Sequence, residues 1–222
     1  MAIAPREDAM QAAGLERRDL FGTPIAVTLI PNAQAINAAL RAEVLAVREA
    51  AADKDPTLAW DSAAGLPDPA GAAMGDLIGA ALLLVAGITG RREDEAPENW
   101  AIAPRCHVLG QGQSVAVHSH PGVAWEATYF VATSGQAPGG PGGELEFQDP
   151  RGEAPVMYAP DLTFLMPDGA TLGISRNLAA KPGVLVVYPA WLLHAVNFYR
   201  ADGLRLSVTL QLTPKATTGV HT

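Results

Sequence analysis

The run from Leu204 to Leu212 (LRLSVTLQL) alternates without a break. Leu204, Leu206, Val208, Leu210 and Leu212 fall on one face, and Arg205, Ser207, Thr209 and Gln211 on the other. Side chains two apart on a strand share a face, so this is a strand with one apolar and one polar surface. A polar strand face ordinarily looks to water. The alternative is that helices cover the apolar face and the polar face lines an interior, which places Arg205 and Ser207 inside a cavity. Helices that need such a surface precede it in the chain. Asn32 to Ala52 carries Ile36, Leu40, Val44 and Val47 at three- and four-residue steps, an amphipathic helix with Asn32 at the N-cap position after Pro31. A second helix is expected from about Ala72 to Ile88, ending near Gly90. Its apolar run, Leu77 to Ile88, falls short of the ~20 residues a membrane span needs and reads as a buried helix. The interior placement of Arg205 and Ser207 is therefore the expectation.

Between these elements the chain is punctuated by turn residues. Phe21 to Leu29 reads as an opening strand, and 53–71 as a loop broken by Pro56, Pro67 and Pro69. From Trp100 onward short strands are expected near Ala101–Leu109, Ser114–His120, Trp125–Ala132, Glu144–Gln148, Leu162–Met166, Gly183–Tyr188, His194–Tyr199 and Leu204–Leu212. Ser134 to Gly143 (SGQAPGGPGG) cannot pack a core and joins two strands as a loop. Eight strands so spaced predict a mainly β protein with N-terminal helices, built as a double-sheet, cupin-like jelly roll. No linker separates two units. One domain is expected over 1–222, with a strand and supporting helices in 1–99, the β-core in 100–213 and a tail in 214–222.

The chemistry concentrates in Val115 to Val131 (VAVHSHPGVAWEATYFV), which holds His118 and His120, two of only five histidines. On a strand this spacing sets the two imidazoles side by side. On a helix it would splay them by about 200°. A third donor completes a metal site, and His194, after PAWLL at the entry to a strand, is the candidate. Imidazoles suit first-row ions such as Fe(II) or Zn(II). The usual non-haem iron set is two histidines and one carboxylate. A carboxylate from Glu126, Glu144 or Asp149 therefore remains open beside the three-His set, as does a purely structural role for the histidines. His107, with alternating neighbours, reads as a strand residue, and His221 as part of a frayed end.

An interior Arg205 implies an acidic ligand, because a buried guanidinium without an anion is costly and its planar fork matches a carboxylate. Ser207 shares its face and adds a second donor. Trp125 and Trp191 flank the histidine segments and either line the mouth as substrate contacts or belong to the core. The single cysteine, Cys106, excludes an internal disulfide, and its strand position argues against a nucleophile. That cysteine usage and the N-terminus, which does not read as a signal peptide, point to the cytoplasm. A formal net charge of −8 argues against a nucleic-acid partner. No phosphate-cradling glycine motif is present.

Four blocks in order, HSHPGVAWEATYFV, GGELEFQDPR, PGVLVVYPAWLLHAV and RLSVTLQL, resemble the 2-oxoglutarate–Fe(II) oxygenases of bacteria and phages, distant relatives of the prolyl hydroxylases. The resemblance spans Trp100 to Leu212, with LFGTPI at 20–25 similar to the family's opening. It implies a double-stranded β-helix with Fe(II) at one mouth and 2-oxoglutarate as co-substrate. It implies that His118 and His194 are ligands, with His120 standing where the wider superfamily has a carboxylate. Arg205 would pair with the far carboxylate of 2-oxoglutarate, and Ser207 completes an Arg-x-Ser pattern. The implied reaction is hydroxylation of a C–H bond coupled to oxidative decarboxylation of 2-oxoglutarate to succinate. The chain departs from the family at Glu126-Ala127, where Ser-Gly is usual, at Tyr129-Phe130, where paired tyrosines are usual, and at Gln211-Leu212, where Phe-Asn is usual. Two other readings stay open: a three-His metallo-cupin dioxygenase that does not use 2-oxoglutarate, and a non-catalytic small-ligand-binding jelly roll. The expected partner is a small-molecule or side-chain substrate, with a homodimer open and a membrane excluded.

Overall fold

The computed structural model describes residues 22–51, 59–62, 71–90, 99–152 and 175–215. Among the described residues, ten strands and two helices run in the order β1 (Ala26–Leu29), α1 (Ala33–Ala50), β2 (Trp60–Asp61), α2 (Ala72–Ile88), β3 (Trp100–Leu109), β4 (Val115–His118), β5 (Trp125–Thr133), β6 (Leu145–Gln148), β7 (Ser175–Leu178), β8 (Val184–Pro189), β9 (His194–Val196) and β10 (Arg205–Pro214). A six-stranded main sheet has the order β1-β8-β5-β10-β3-β2, and a four-stranded minor sheet the order β4-β9-β6-β7. The strand pairs of both sheets are antiparallel. This is the double-stranded β-helix that the strand spacing predicts.

The two faces of the main sheet divide the side chains as the alternation of β10 requires. Leu206, Val208, Leu210 and Leu212 are buried with Ile36, Leu40 and Val44 of α1 and Met74, Leu77, Ala81 and Val85 of α2. The neighbouring strands keep the same parity. Ala127, Tyr129 and Val131 of β5, Leu185 and Val187 of β8, and Cys106 and Val108 of β3 join this helix-side core. The intervening residues turn inward. Phe130, Val186 and Tyr188 pack with Leu145 and Phe147 of the minor sheet in a second, inter-sheet cluster. Arg205, Ser207, Thr209 and Gln211 are accordingly buried although polar. In the β5–β10 ladder the register slips between Leu206 and Ser207, so that Leu206 faces Ala132 while Ser207 faces Phe130. Val131 is the extra residue, a bulge of the kind that bends a strand where a sheet curls.

Local details differ from the sequence expectation. Asn32 sits at the N-cap of α1, but its backbone is left-handed (φ 56°) and its side chain makes no capping hydrogen bond. Pro31 fixes the entry to the turn, and asparagine tolerates that conformation better than most residues. Strand β4 ends at His118, short of His120, and β9 ends at Val196. Two strands carry no sequence signal. β2 is two residues long, pinned by the pair of bonds between Ser62 and Cys106: the Ser62 amide donates to the Cys106 carbonyl and the Cys106 amide to Ser62 Oγ. β7 (SRNL) has only one apolar residue, Leu178, which packs against the inter-sheet cluster. The strand expected at Leu162–Met166 lies outside the described residues.

Leu206 is fully buried at the centre of the helix-side core. Leu206→Ala is expected to cost about 2–5 kcal/mol, the range for deleting a well-packed leucine. A lowered denaturation midpoint at unchanged slope is the readout.

Candidate metal centre

The minor sheet delivers two of the histidines. His118 of β4 and His194 of β9 are register partners, and His194 is opposite Phe147 of β6. His120 arrives by another device. Past the strand end, Pro121 and Gly122 (φ 87°) make a tight turn in which the Val123 amide donates to the His120 carbonyl. Proline then glycine with positive φ is the chemistry of a type II turn. The His120 amide donates to the Ala190 carbonyl at 2.9 Å, tying the turn to the end of β8. The three rings converge, with centroids 4.9 Å apart for His118–His120, 4.3 Å for His118–His194 and 5.5 Å for His120–His194. One nitrogen from each lies within 4.8 Å of the other two.

The ring tautomers follow from the backbone. Nδ1 of His118 is 2.8 Å from the Ala116 carbonyl, and Nδ1 of His194 is 2.8 Å from the Leu192 carbonyl. A carbonyl only accepts, so each Nδ1 carries the proton and donates it, and each Nε2 keeps a lone pair. Such outer hydrogen bonds orient the imidazoles of metal sites. Burial first, with the Leu192 hydrogen bond opposing it, lowers the His194 pKa to about 4; burial also lowers that of His120. Both rings are therefore neutral at physiological pH, the form that binds a metal. His194 is further boxed in by Tyr188, whose ring lies edge-on at 5.1 Å. The donor set fits a first-row divalent ion.

Of the three carboxylates left open, only Glu126 reaches this cluster. Glu144 lies 3.8 Å from Arg200, and Asp149 is held at 2.8 Å by Arg151. Glu126 is buried on the inward face of β5, with Oε2 3.1 Å from His120 Nε2 and Oε1 3.7 Å from His194 Nε2. The Tyr188 hydroxyl donates to Oε1 at 3.0 Å. Burial pushes the Glu126 carboxyl up to about 8, against the pull of that hydrogen bond.

The second charged group sits farther along the same cleft. Arg205 is 1% exposed. Its Nε donates to the Gly143 carbonyl at 2.8 Å and its Nη1 to Ser207 Oγ at 3.1 Å. The guanidinium carbon lies 5.3 Å from the centre of the Phe130 ring. Nη2 is buried and has no hydrogen-bond partner among the described residues. Burial brings the Arg205 pKa down to about 10, so it is still a cation at neutral pH. A fixed cation with one unused donor suits an anion, and the planar fork of a guanidinium matches a carboxylate.

His118, Glu126, Tyr188, His194, Arg205, Ser207 and Thr209 line one cleft of about 300 Å³, part of it open to solvent. His107 lines it too. The sequence reading left His107 as a strand residue without a role. The signal was present: His107 lies between Cys106 and Val108, which face the helices, and it pairs across the sheet with Ser207. Neither tryptophan lines this cleft. Trp125 precedes Glu126 and turns the other way, packing against the helix-side core. Trp191 is 55% exposed in the turn before His194. Cys106 is buried, and burial raises its thiol pKa to about 11, which leaves no nucleophile there.

The fold and the site together define a double-stranded β-helix with a candidate metal centre and an anion receptor in one cleft. Residues 105–211 match the family model described as "Putative 2OG-Fe(II) oxygenase". The matched segment is 107 of the chain's 222 residues, just under half. That model describes oxygenases that use Fe(II) and 2-oxoglutarate, and the three imidazoles of the cleft region suit such a metal. Solved structures of similar fold include a prolyl-4-hydroxylase from Pseudomonas putida, 16% identical, covering 89% of this chain and 96% of that one at a TM-score of 0.55. A Trichoplax adhaerens prolyl hydroxylase in complex with a hypoxia inducible factor peptide fragment is 13% identical, covering 87% and 85% at 0.57. HygX from Streptomyces hygroscopicus, with nickel and 2-oxoglutarate bound, is 11% identical, covering 97% and 90% at 0.56. No curated protein matches the chain.

Gly143 (φ 70°) holds Arg205 in place by lacking a side chain: a Cβ there would stand 2.7 Å from Arg205 Cδ and 3.2 Å from its Nε. Gly143→Ala is expected to destabilise the fold by more than about 1 kcal/mol, from the positive φ alone. Chemical denaturation measures it, and unchanged stability would count against this packing.

Proposed function

We propose that the protein is an Fe(II)- and 2-oxoglutarate-dependent dioxygenase that hydroxylates a small-molecule or side-chain substrate. His118, His120 and His194 hold the iron, and Arg205 with Ser207 holds the far carboxylate of 2-oxoglutarate. The observation that carries this reading is the convergence of three imidazoles, two of which, His118 and His194, line one cleft with a buried guanidinium that has an unused donor. Bound iron with 2-oxoglutarate supplies dioxygen activation and the oxidative decarboxylation that leaves succinate.

The remaining work falls to the chain. The carbonyls of Ala116 and Leu192 hold the His118 and His194 protons on Nδ1, so both Nε2 lone pairs stay aimed at the centre. Arg205 orients the co-substrate, because its Nε is committed to Gly143 and its Nη1 to Ser207, which leaves Nη2 to select the carboxylate position. The apolar side chains Val115, Leu145 and Val196 wall the cleft between the two groups. Trp191, exposed beside the histidine-bearing end, is the tryptophan that remains as a substrate contact. No described helix is long and apolar enough to cross a membrane.

Two measurements test this reading. Wild-type protein is expected to bind one Ni(II) per chain, and His194→Ala to lose stoichiometric binding, by equilibrium dialysis with metal analysis. Ni(II)-loaded wild type is expected to bind 2-oxoglutarate, and Arg205→Gln to bind it about 10- to 150-fold more weakly, the value of a charged hydrogen bond of about 1.5–3 kcal/mol. Loaded wild-type protein that ignores 2-oxoglutarate in calorimetry would sink the proposal.

A further inference from the structure

We infer that Glu126 is the positioning residue of His120: Oε2 accepts from His120 Nε2–H, so that this imidazole offers Nδ1 to the metal, the opposite tautomer from His118 and His194. This rests on the metal-centre reading above and keeps its three imidazole ligands, with the carboxylate outside the ion's own shell.

Two of the three rings are oriented by the backbone. The carbonyls of Ala116 and Leu192 hold Nδ1 of His118 and of His194, each at 2.8 Å. Among the described residues His120 has no such carbonyl. It lies past the end of β4, where its amide is tied to Ala190 but no ladder holds its side chain. Metal-ligating imidazoles donate their second ring N–H to an outer partner that fixes ring and tautomer. The polar atom beside this ring is Glu126 Oε2, 3.1 Å from His120 Nε2. That oxygen is buried and has no hydrogen-bond partner among the described residues. Each group is the partner the other lacks. Their separation is already that of an N–H···O bond. Only the alignment of the ring N–H is missing, and rotation about the His120 χ2, a broad and soft torsion, supplies it.

The main sheet holds the carboxyl in place for this. Glu126 and Tyr188 are register partners on β5 and β8, and the Tyr188 hydroxyl donates to Oε1 at 3.0 Å. The same hydroxyl lies 3.1 Å from Thr128 Oγ1, so Oε1 is fixed from one side and Oε2 is left beside His120. Oε1 is 3.7 Å from His194 Nε2, beyond hydrogen-bond reach, so it does not compete for the lone pair that His194 offers the metal. Beside a bound cation the ionised carboxyl is favoured, and its oxygens only accept. With the donated proton on Nε2, the free lone pair of His120 is on Nδ1. Leaving a buried carboxylate oxygen unpaired is costly, and this bond removes that cost. The ion's remaining positions stay open for co-substrate and dioxygen.

The Co(II)-loaded protein tests this without turnover. In crystals of the loaded wild type, His120 Nδ1 is expected about 2.1 Å from the ion, with Nε2–H directed at Glu126 Oε2. In water, its proton NMR spectrum is expected to show far-shifted exchangeable ring N–H signals, one from each of the three imidazoles. Glu126→Leu removes the acceptor. One of those signals is then expected to be lost to solvent exchange, and Co(II) affinity to fall about 10- to 100-fold. Glu126→Gln restores an acceptor for His120 and is expected to recover the signal and most of the affinity. A general loosening of the packing would neither spare the other two signals nor be rescued by glutamine. His120 bound through Nε2, or a Glu126→Leu variant with every signal and wild-type affinity, overturns the inference and leaves the three-His centre standing. Wild type that takes up no Co(II) overturns the centre itself, and this inference with it. The crystallographic arm needs no variant to fold.

Discussion

The burial of β10's polar face is the constraint on which the rest depends. Leu206, Val208, Leu210 and Leu212 are taken up by α1 and α2, and the strand cannot turn them to the helices without turning Arg205, Ser207, Thr209 and Gln211 inward. The apolar gain along one face thus drags four polar side chains out of water on the other. Each then needs partners inside. Arg205 finds a carbonyl, a hydroxyl and an aromatic face, and Thr209 reaches Thr128. Two buried atoms of the cleft, Arg205 Nη2 and Glu126 Oε2, keep no hydrogen-bond partner among the described residues.

The two sheets contribute unlike parts. The minor sheet and the turn after it bring the imidazoles, two of them held by a hydrogen bond to the backbone carbonyl two residues earlier. The main sheet brings the guanidinium of Arg205 from β10 and the carboxyl of Glu126 from β5, on adjacent paired strands. A metal centre needs both kinds of group at one place, and an inter-sheet cleft is where a strand pattern of period two can supply them from opposite walls. The packing of Phe130, Phe147 and Tyr188 between the sheets sets the spacing across that cleft.

Much of this was legible before any coordinates. The alternation of Leu204 to Leu212 specified the strand, its two faces and, with the helices, which face is interior. Ile36, Leu40 and Val44 were readable as the buried stripe of α1 and are buried. His118, His120 and His194 were readable as a group and converge. Other parts were not. β7 is a polar segment made a strand by pairing with β6, and β2 by the bonds between Ser62 and Cys106; pairing across the chain leaves no local signature. His120 was expected on the strand beside His118, but the Pro121-Gly122 turn carries it instead, because the ladder stops where the chain must bend back.

From residue order alone come the period-two strands, the helix stripe, the histidine group and the arginine on a polar face, because each is encoded in neighbours a few positions apart and local geometry converts spacing into facing. Only the tertiary structure brought Glu126, rather than Glu144 or Asp149, beside the histidines, sent Trp125 to the core, and put His107 and Tyr188 on the cleft wall. Those choices depend on which strands become neighbours in the two sheets: Tyr188, whose hydroxyl donates to Glu126, stands 62 positions from it in the chain.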